Sequence, residues 1–246
     1  MKPATGKRME IGSEKWKQLI IDGARHFGVR INRDQAQQLA LHAALMLKWN
    51  RTTNLTAITD SMDVAVKHFL DSIITGPLIS PGATVLDIGS GAGFPGIPLK
   101  IVIPSLQVTL IDASRKKISF LKHAIRTLNF ENIEAHHVRA EDFAKKPAAA
   151  NRFDVITSRA LSSIKDFVLM AAPLLAEDGA IIALKGPDLQ QEIEVLQQQT
   201  DTHTGLLRIE NVQFSLKVKT YTLPYLETQR SIIIFRKVDS FVKSLL

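Results

Sequence analysis

The sequence contains no cysteine. That excludes disulfides, Cys-ligated zinc, iron–sulfur clusters and every mechanism built on a thiolate nucleophile. It also has no long apolar run: the longest, around Leu169–Ala176 and Ile232–Phe235, fall far short of a bilayer span. Aromatic residues are few, 6% of the chain, and those of the N-terminal third lie at helical spacing, which reads as core rather than as a base-stacking platform. Acidic residues are outnumbered, 24 against 31 Lys and Arg, for a net charge of +7. Such a surface fits an anionic partner such as nucleic acid, and equally a soluble enzyme with a basic bias. The polar start through Trp16 lacks the apolar segment of a signal peptide, so the expected location is the cytoplasm, with no membrane contact. Asn54-Leu55-Thr56 spells a glycosylation acceptor that an unexported chain does not use. With 246 residues the chain can bury a core without metal or disulfide staples. No repeat or low-complexity stretch is present.

Three amphipathic helices are expected first. Ser13 caps one carrying Trp16, Leu19, Ile20 and Phe27, closing near Gly28. Asn32 caps a second with Leu39, Met46 and Trp49. Asp60 caps a third with Val66, Phe69, Leu70 and Ile73, ending before Gly76-Pro77. From Gly82 the pattern alternates. Thr84–Gly89 reads as a buried strand, followed by a helix with Pro98 in its first turn. Strands at 107–112, 133–138, 153–158 and 180–184 alternate with helices at 114–128 and 164–175, the latter shortened or bent by Pro173, and Asp188 caps another helix. Two closing strands, 205–215 and 231–235, have no helix-length segment between them and read as antiparallel neighbours. The expectation is an α/β, Rossmann-like sheet, mostly parallel, with an antiparallel C-terminal strand pair and an N-terminal helical layer. Residues 1–78 form the tail and layer, 79–246 the core, together one compact unit.

The sharpest feature is Asp87-Ile88-Gly89-Ser90-Gly91-Ala92-Gly93-Phe94-Pro95-Gly96. Glycines allow a tight strand-to-helix turn and close approach of a ligand to the backbone. Gly91, Gly93 and Gly96 fit a dinucleotide fingerprint, with Asp112 about 20 residues on as the ribose-binding acid. Asp87, Gly89, Gly91 and Gly93 also fit Asp-x-Gly-x-Gly-x-Gly, the pattern of class I S-adenosylmethionine methyltransferases. An acid at Asp87 repels a pyrophosphate and suits a cationic sulfonium or ammonium. Pro95 removes an N–H from any phosphate cradle. Asp112, with Ala113 beside it, ends the second strand in either reading and doubles as a helix cap.

Several further segments occur in order: Leu47–Thr56, His68–Ser72, the loop ending Phe94-Pro95-Gly96-Ile97-Pro98, Arg139-Ala140-Glu141, Ser158-Arg159-Ala160 and Lys185-Gly186. Together they resemble the small-subunit ribosomal RNA guanine-N7 methyltransferases, also called glucose-inhibited division protein B, over roughly residues 40–190. The resemblance implies methylation of N7 of one guanine in the decoding-region loop of 16S rRNA, on the small ribosomal subunit. It implies that Gly89, Phe94, Ala140, Glu141 and Arg159 contact S-adenosylmethionine, while Asp112 takes the ribose position of the wider class. One departure is visible: where the family often has Lys-Arg after the second strand, Lys116-Lys117 stands here, preceded by Arg115.

Guanine N7 carries a free lone pair, so no base, dyad or metal is needed. In-line transfer rests on positioning, and an acidic or carbonyl-lined pocket suits the charge that the purine gains. Arg159 and Arg139 are the candidates for acting in the transfer, Arg159 on the methionine carboxylate or the guanine edge. Arg115, Lys116, Lys117, Arg126, Arg139 and Lys185 are candidates for phosphate contact. Asn50, Asn54, Thr56, His68 and Asp71 are placed to roof the cleft, with His68 and Asp71 as a possible helix-surface pair. A nicotinamide-dependent oxidoreductase and a non-catalytic rRNA-binding assembly factor stand as the alternatives. A monomer is expected, since no long exposed apolar stripe demands a partner.

Overall fold

A computed structural model gives the fold and describes residues 9–159, 163–186, 190–198, 206–209 and 212–238. Asp188 and Gly205, and Ala160 of the family segment, lie outside the described residues.

The N-terminal helices form where their caps stand. Ser13 Oγ accepts from Trp16 N to start α1 (Glu14–Arg25). Asn32 and Gln35 close a reciprocal capping box on α2 (Arg33–Thr53), and Gln35 Nε2 reaches on to the Ile101 carbonyl at 2.9 Å. Asp60 Oδ1 accepts from Met62 N and Asp63 N at the head of α3 (Ser61–Asp63). A π-helical stretch, Val64–Leu70, carries the same helix into α4 (Asp71–Ile73). The apolar spacing at 60–73 foretells a helix there and does not reveal its π geometry.

The core sheet comprises β1 (Thr84–Ile88), β2 (Gln107–Asp112), β3 (Ile133–His137), β4 (Phe153–Ser158), β5 (Leu175–Lys185), β6 (Leu207–Ile209), β7 (Val212–Thr222) and β8 (Gln229–Lys237). Their spatial order is β3-β2-β1-β4-β5-β8-β7-β6. The first five run parallel, and β8 inserts antiparallel between β5 and β7. The crossovers are α5 (Gly96–Val102), α6 (Arg115–Thr127), α7 (Ala140–Ala144) and α8 (Ile164–Ala171), with α9 (Gln190–Gln198) after β5.

Two expected boundaries shift. The helix expected at 164–175 stops at Ala171, and Ala172–Leu174 tightens into a 3-10 turn around Pro173. The carbonyls of Pro173 and Leu174 then accept from Asn151 N and Arg152 N, so β5 begins at Leu175 rather than Ala180. The strand expected at 205–215 divides into β6 and the first part of β7, which pair antiparallel, and β7 continues to Thr222. Period-2 alternation persists through both pieces, so it does not mark the reversal.

Successive strand residues face opposite sides, so the sheet has two cores. On one face the helical layer contributes Trp16, Leu39, Met46 and Phe69, packed with Val85, Leu110, Ile182 and Ile234. On the other, Phe167 and Val168 of α8 meet Leu86, Ile156, Ile181, Phe214 and Phe235. Among the described residues no helix is long and apolar enough to cross a membrane. Trp16 is fully buried, edge-on to Phe69 at 5.8 Å, and its Nε1 donates to the Ser61 carbonyl at 2.9 Å. Trp16→Ala is expected to cost about 3–5 kcal/mol of stability, measured by urea unfolding.

Candidate active site

The loop from β1 to α5 is closed by its own amides. Gly89 N and Ser90 N donate to the Ile111 carbonyl at 2.9 and 3.0 Å, and Gly91 N to Asp112 Oδ2 at 3.0 Å. Gly93 N and Phe94 N turn back onto the Ser90 carbonyl, and Gly96 N donates to Asp87 Oδ2 at 2.9 Å. Pro95, which follows a cis peptide bond, has no N–H to give. These inward donors leave no row of free amides to cradle a pyrophosphate, which removes the geometric basis of the dinucleotide reading.

The loop glycines divide into two kinds. Gly89 and Gly91 have φ of +70° and +57°, and a Cβ on either would meet open space or, at 3.8 Å, only the Gly89 carbonyl. They border a place where a ligand can lie against backbone. Gly93 and Gly96 are packed instead: a Cβ there would come within 2.5 Å of Ile97 and 2.4 Å of Leu110. The structure therefore assigns Gly93 to packing under the loop rather than to its open side.

Asp87 is fully buried, and burial pushes its carboxyl up to about 7 against the pull of the Gly96 amide and the Arg159 charge. Its Oδ1 and the Oγ1 of its strand neighbour Thr157 are buried without a hydrogen-bond partner. A buried acid with unmet acceptor capacity at the base of the loop fits a cationic methyl donor better than a phosphate. Asp112 spans the next gap: Oδ2 holds Gly91 N and Oδ1 accepts from Ser114 N at 2.8 Å, with Lys117 Nζ 3.8 Å away. It thus tethers the loop to the start of α6. The Ala113 carbonyl accepts from His137 Nε2 at 3.0 Å, and Ala140 and Glu141 open α7 beyond β3.

Arg159, just after β4, is held by the π-helical stretch. Its Nη1 donates to the Lys67 carbonyl at 3.0 Å and its Nη2 to His68 Nδ1 at 2.9 Å. The guanidinium also lies 4.7 Å from the Phe94 ring centroid, and His68 stacks on the same ring at 4.6 Å. Only a lone pair on Nδ1 can accept from arginine, so His68 carries its proton on Nε2 and donates to Thr56 Oγ1 at 2.8 Å. Asn50 in turn clamps the Thr56 backbone N–H and carbonyl, both at 2.9 Å. The His68–Asp71 surface pair is thereby corrected: both are buried and bond elsewhere, Asp71 Oδ1 accepting from Tyr221 Oη at 2.7 Å. Burial holds Asp71 above the usual carboxylate range, with the Tyr221 hydroxyl, Arg159 and Arg230 opposing it.

The candidate basic residues scatter. Arg115 and Lys116 are exposed on the first turn of α6, whereas Lys117 leans toward Asp112. Arg126 sits in the last turn of that helix, roughly 16 Å along it from Arg115. Lys185 pairs with Glu192 at 2.9 Å. Arg139 caps α7 after β3, and β2 and β1 separate that strand from β4, a span of about 14 Å. The two arginines thus rise from strands on opposite sides of β1, where the crossover direction reverses.

The sequence reading missed His42, Tyr221 and Arg230. His42 is fully buried, stacks on Phe120 at 6.0 Å and bonds the Ala92 carbonyl of the glycine loop at 2.9 Å. Burial lowers its pKa to about 4. Its signal was legible as a lone imidazole on the apolar face Leu39–Ala43–Met46. Tyr221 and Arg230 come from strands whose neighbours in space are remote in sequence, and no local pattern marks them.

This sheet order and glycine-floored site define a class I S-adenosylmethionine-dependent methyltransferase fold. A putative transferase from Pyrococcus horikoshii superposes with a TM-score of 0.52 at 17% identity, over 69% of this chain and 63% of that one. A protein described as a predicted O-methyltransferase from Agrobacterium tumefaciens gives 0.53 at 15% identity, over 69% and 81%. The family model of rRNA small subunit methyltransferase G matches residues 35–222. Ribosomal RNA small subunit methyltransferase G of Geobacter sp. (strain M21) is 42% identical over 219 residues, 89% of this chain and 96% of the relative. The protein of that name from Thermoanaerobacter sp. (strain X514) is 36% identical over 225 residues, 91% and 90%. The chain belongs to the rRNA small subunit methyltransferase G family, and its methyl donor is S-adenosylmethionine.

Burial, with the Arg159 charge second, lowers the His68 pKa to about 3 from 6.5. The fold uses the neutral ring, so its contribution is whole above the unfolded value and is lost as pH falls. At pH 5 the loss is about 2 kcal/mol. Urea unfolding at pH 7 and 5 is expected to show the native chain losing about that much more than His68→Gln. The buried Asp87 carboxyl acts with the opposite sign, is common to both proteins and cancels in the difference.

Proposed function

We propose that the chain transfers a methyl group from S-adenosylmethionine to N7 of a guanine in the decoding-region loop of 16S rRNA, in line and mainly by positioning. The observation that carries this reading is the glycine loop, with its amides turned inward and open space over Gly89 and Gly91. Bound there, S-adenosylmethionine supplies an electrophilic methyl carbon on a cationic sulfonium. Gly89, Gly91 and Phe94 would line the donor, Asp112 would accept from its ribose hydroxyls, and Ala140 with Glu141 would flank its adenine. Arg159, fixed by the Lys67 carbonyl, His68 and Phe94, would take the methionine carboxylate or the near edge of the base. A lone pair at N7 needs no deprotonation, so the site's residues have only to hold two partners in line.

A-form RNA hides N7 in a deep, narrow groove, so the guanine must be unpaired or extruded. Arg115 and Lys116, exposed beside the donor site, are the best placed of the candidate cations for RNA phosphates; Arg139 would meet RNA or the adenine end rather than the transferred methyl. The exposed large apolar side chains among the described residues, Leu41, Val195 and Tyr225, are isolated, in keeping with a monomer. An rRNA-binding factor without turnover is the second reading, supported by the net charge of +7.

Methyl-labelled S-adenosylmethionine and small ribosomal subunits from a strain lacking this gene test the reading, with the labelled nucleoside identified by mass spectrometry. Label on 7-methylguanosine at one loop position is expected; another nucleoside would overturn the target assignment, and donor binding without label would favour the second reading. Gly91→Leu enters open space but strains a backbone with φ of +57°, so its melting temperature is expected to fall by several degrees with the fold kept, while calorimetry shows donor affinity reduced at least 100-fold. Unchanged affinity would sink the loop assignment.

A further inference from the structure

Beside Arg159 lies a cavity of about 260 Å³ whose wall includes Lys67, Asp71, Lys185 and Arg230. It falls just below the roughly 300–1,000 Å³ typical of small-ligand pockets, a size that suits one planar base better than a whole nucleotide. Its lysines already have partners: Lys67 bonds Asp63 at 2.8 Å and Lys185 bonds Glu192 at 2.9 Å. Asp71 is the one carboxylate on the wall among the described residues. It is 4% exposed, and both of its contacts, Tyr221 Oη at 2.7 Å and Arg230 Nε at 3.7 Å, fall on Oδ1. A buried carboxylate that served only to fasten β7 and β8 to the π-helical stretch would need only that oxygen. Oδ2 takes part in neither contact.

We propose that Asp71 is the specificity-determining residue that reads the extruded base, Oδ2 accepting from the N1–H and exocyclic N2 amine of guanine. The proposal rests on the guanine-N7 reading above and deepens it. Those two donors lie side by side on the Watson–Crick edge of guanine, and a carboxylate, which only accepts, matches them. Adenine offers an acceptor at N1 and is rejected. Holding that edge turns the opposite, N7 edge of the purine away from Asp71 and toward Arg159 and the glycine loop. The carboxylate also offsets the positive charge that the ring gains on methylation. Tyr221 and Arg230 act as positioning residues, fixing the carboxyl through Oδ1.

The test uses small subunits reconstituted on 16S rRNA with guanine, inosine or adenine at the position that labelling maps. Inosine keeps N7 and N1–H and lacks the N2 amine. With the native chain kcat/KM is expected to fall about 10- to 100-fold for inosine, with no label on adenine. Asp71→Asn is expected to lower guanine methylation by a similar factor and to erase the guanine–inosine difference, while donor affinity by calorimetry stays native. Tyr221→Phe, which frees Oδ1, is expected to lower guanine methylation less than Asp71→Asn does and to narrow the guanine–inosine difference only in part; an unchanged rate and ratio would overturn its positioning role. Equal rates on guanine and inosine with the native chain would overturn the assignment, as would full discrimination by Asp71→Asn. The inosine comparison needs no variant, so it decides even if Asp71→Asn fails to fold. Label on natural subunits in a nucleoside other than 7-methylguanosine would instead remove the guanine reading, and the assignment with it.

Discussion

The closure of the β1–α5 turn by its own amides is the constraint on which the rest depends. With Gly89, Ser90 and Gly91 tied to β2, and Gly96 tied to the buried Asp87 carboxylate, the chain makes the turn without help from a ligand. Two consequences follow. The open side of the loop is bare backbone at Gly89 and Gly91, able to lie against a flat or cationic ligand. The packed side, at Gly93 and Gly96, takes a side chain only if Ile97 and Leu110 give way.

The helical layer is fastened to that loop rather than laid over it. His42 reaches down from α2 to the Ala92 carbonyl, and Phe94 is packed edge-on against Phe69 at 5.2 Å while His68 stacks on its face. The π-helical stretch presents the carbonyls of Lys67 and His68 to the Arg159 guanidinium. The arginine is desolvated but held by these carbonyls, by the His68 ring nitrogen and by the face of Phe94, which is how a buried cation is tolerated. Neutral imidazoles at positions 42 and 68 follow first from burial, to which the Arg159 charge adds at His68.

The far wall of the site comes from the C-terminal hairpin. β8 enters between β5 and β7, bringing Arg230 and Tyr221 to Asp71, a residue 150 positions from Tyr221 in the chain. One helix turn near the start and two strands near the end thus complete a cavity that the parallel core alone leaves open.

Much of this was legible in one dimension. The caps at Ser13, Asn32 and Asp60, the buried strand ending in Asp87, the glycine spacing and the acid at Asp112 are local signals, because capping, periodicity and tight turns are set by neighbours a few residues apart. The order of family segments from Leu47 to Gly186 carried the class. The sequence by itself therefore determined the elements, the loop and the kind of ligand that loop can face. Only the tertiary structure decided which side of the loop each glycine serves, that His68 is a neutral acceptor for Arg159, that Arg139 and Arg159 rise on opposite sides of β1, and that Asp71 stands on a cavity wall with both of these contacts, to Tyr221 and Arg230, on one oxygen. Those facts depend on strand order and on contacts between distant segments, and a linear pattern holds no record of which remote residues burial will bring together.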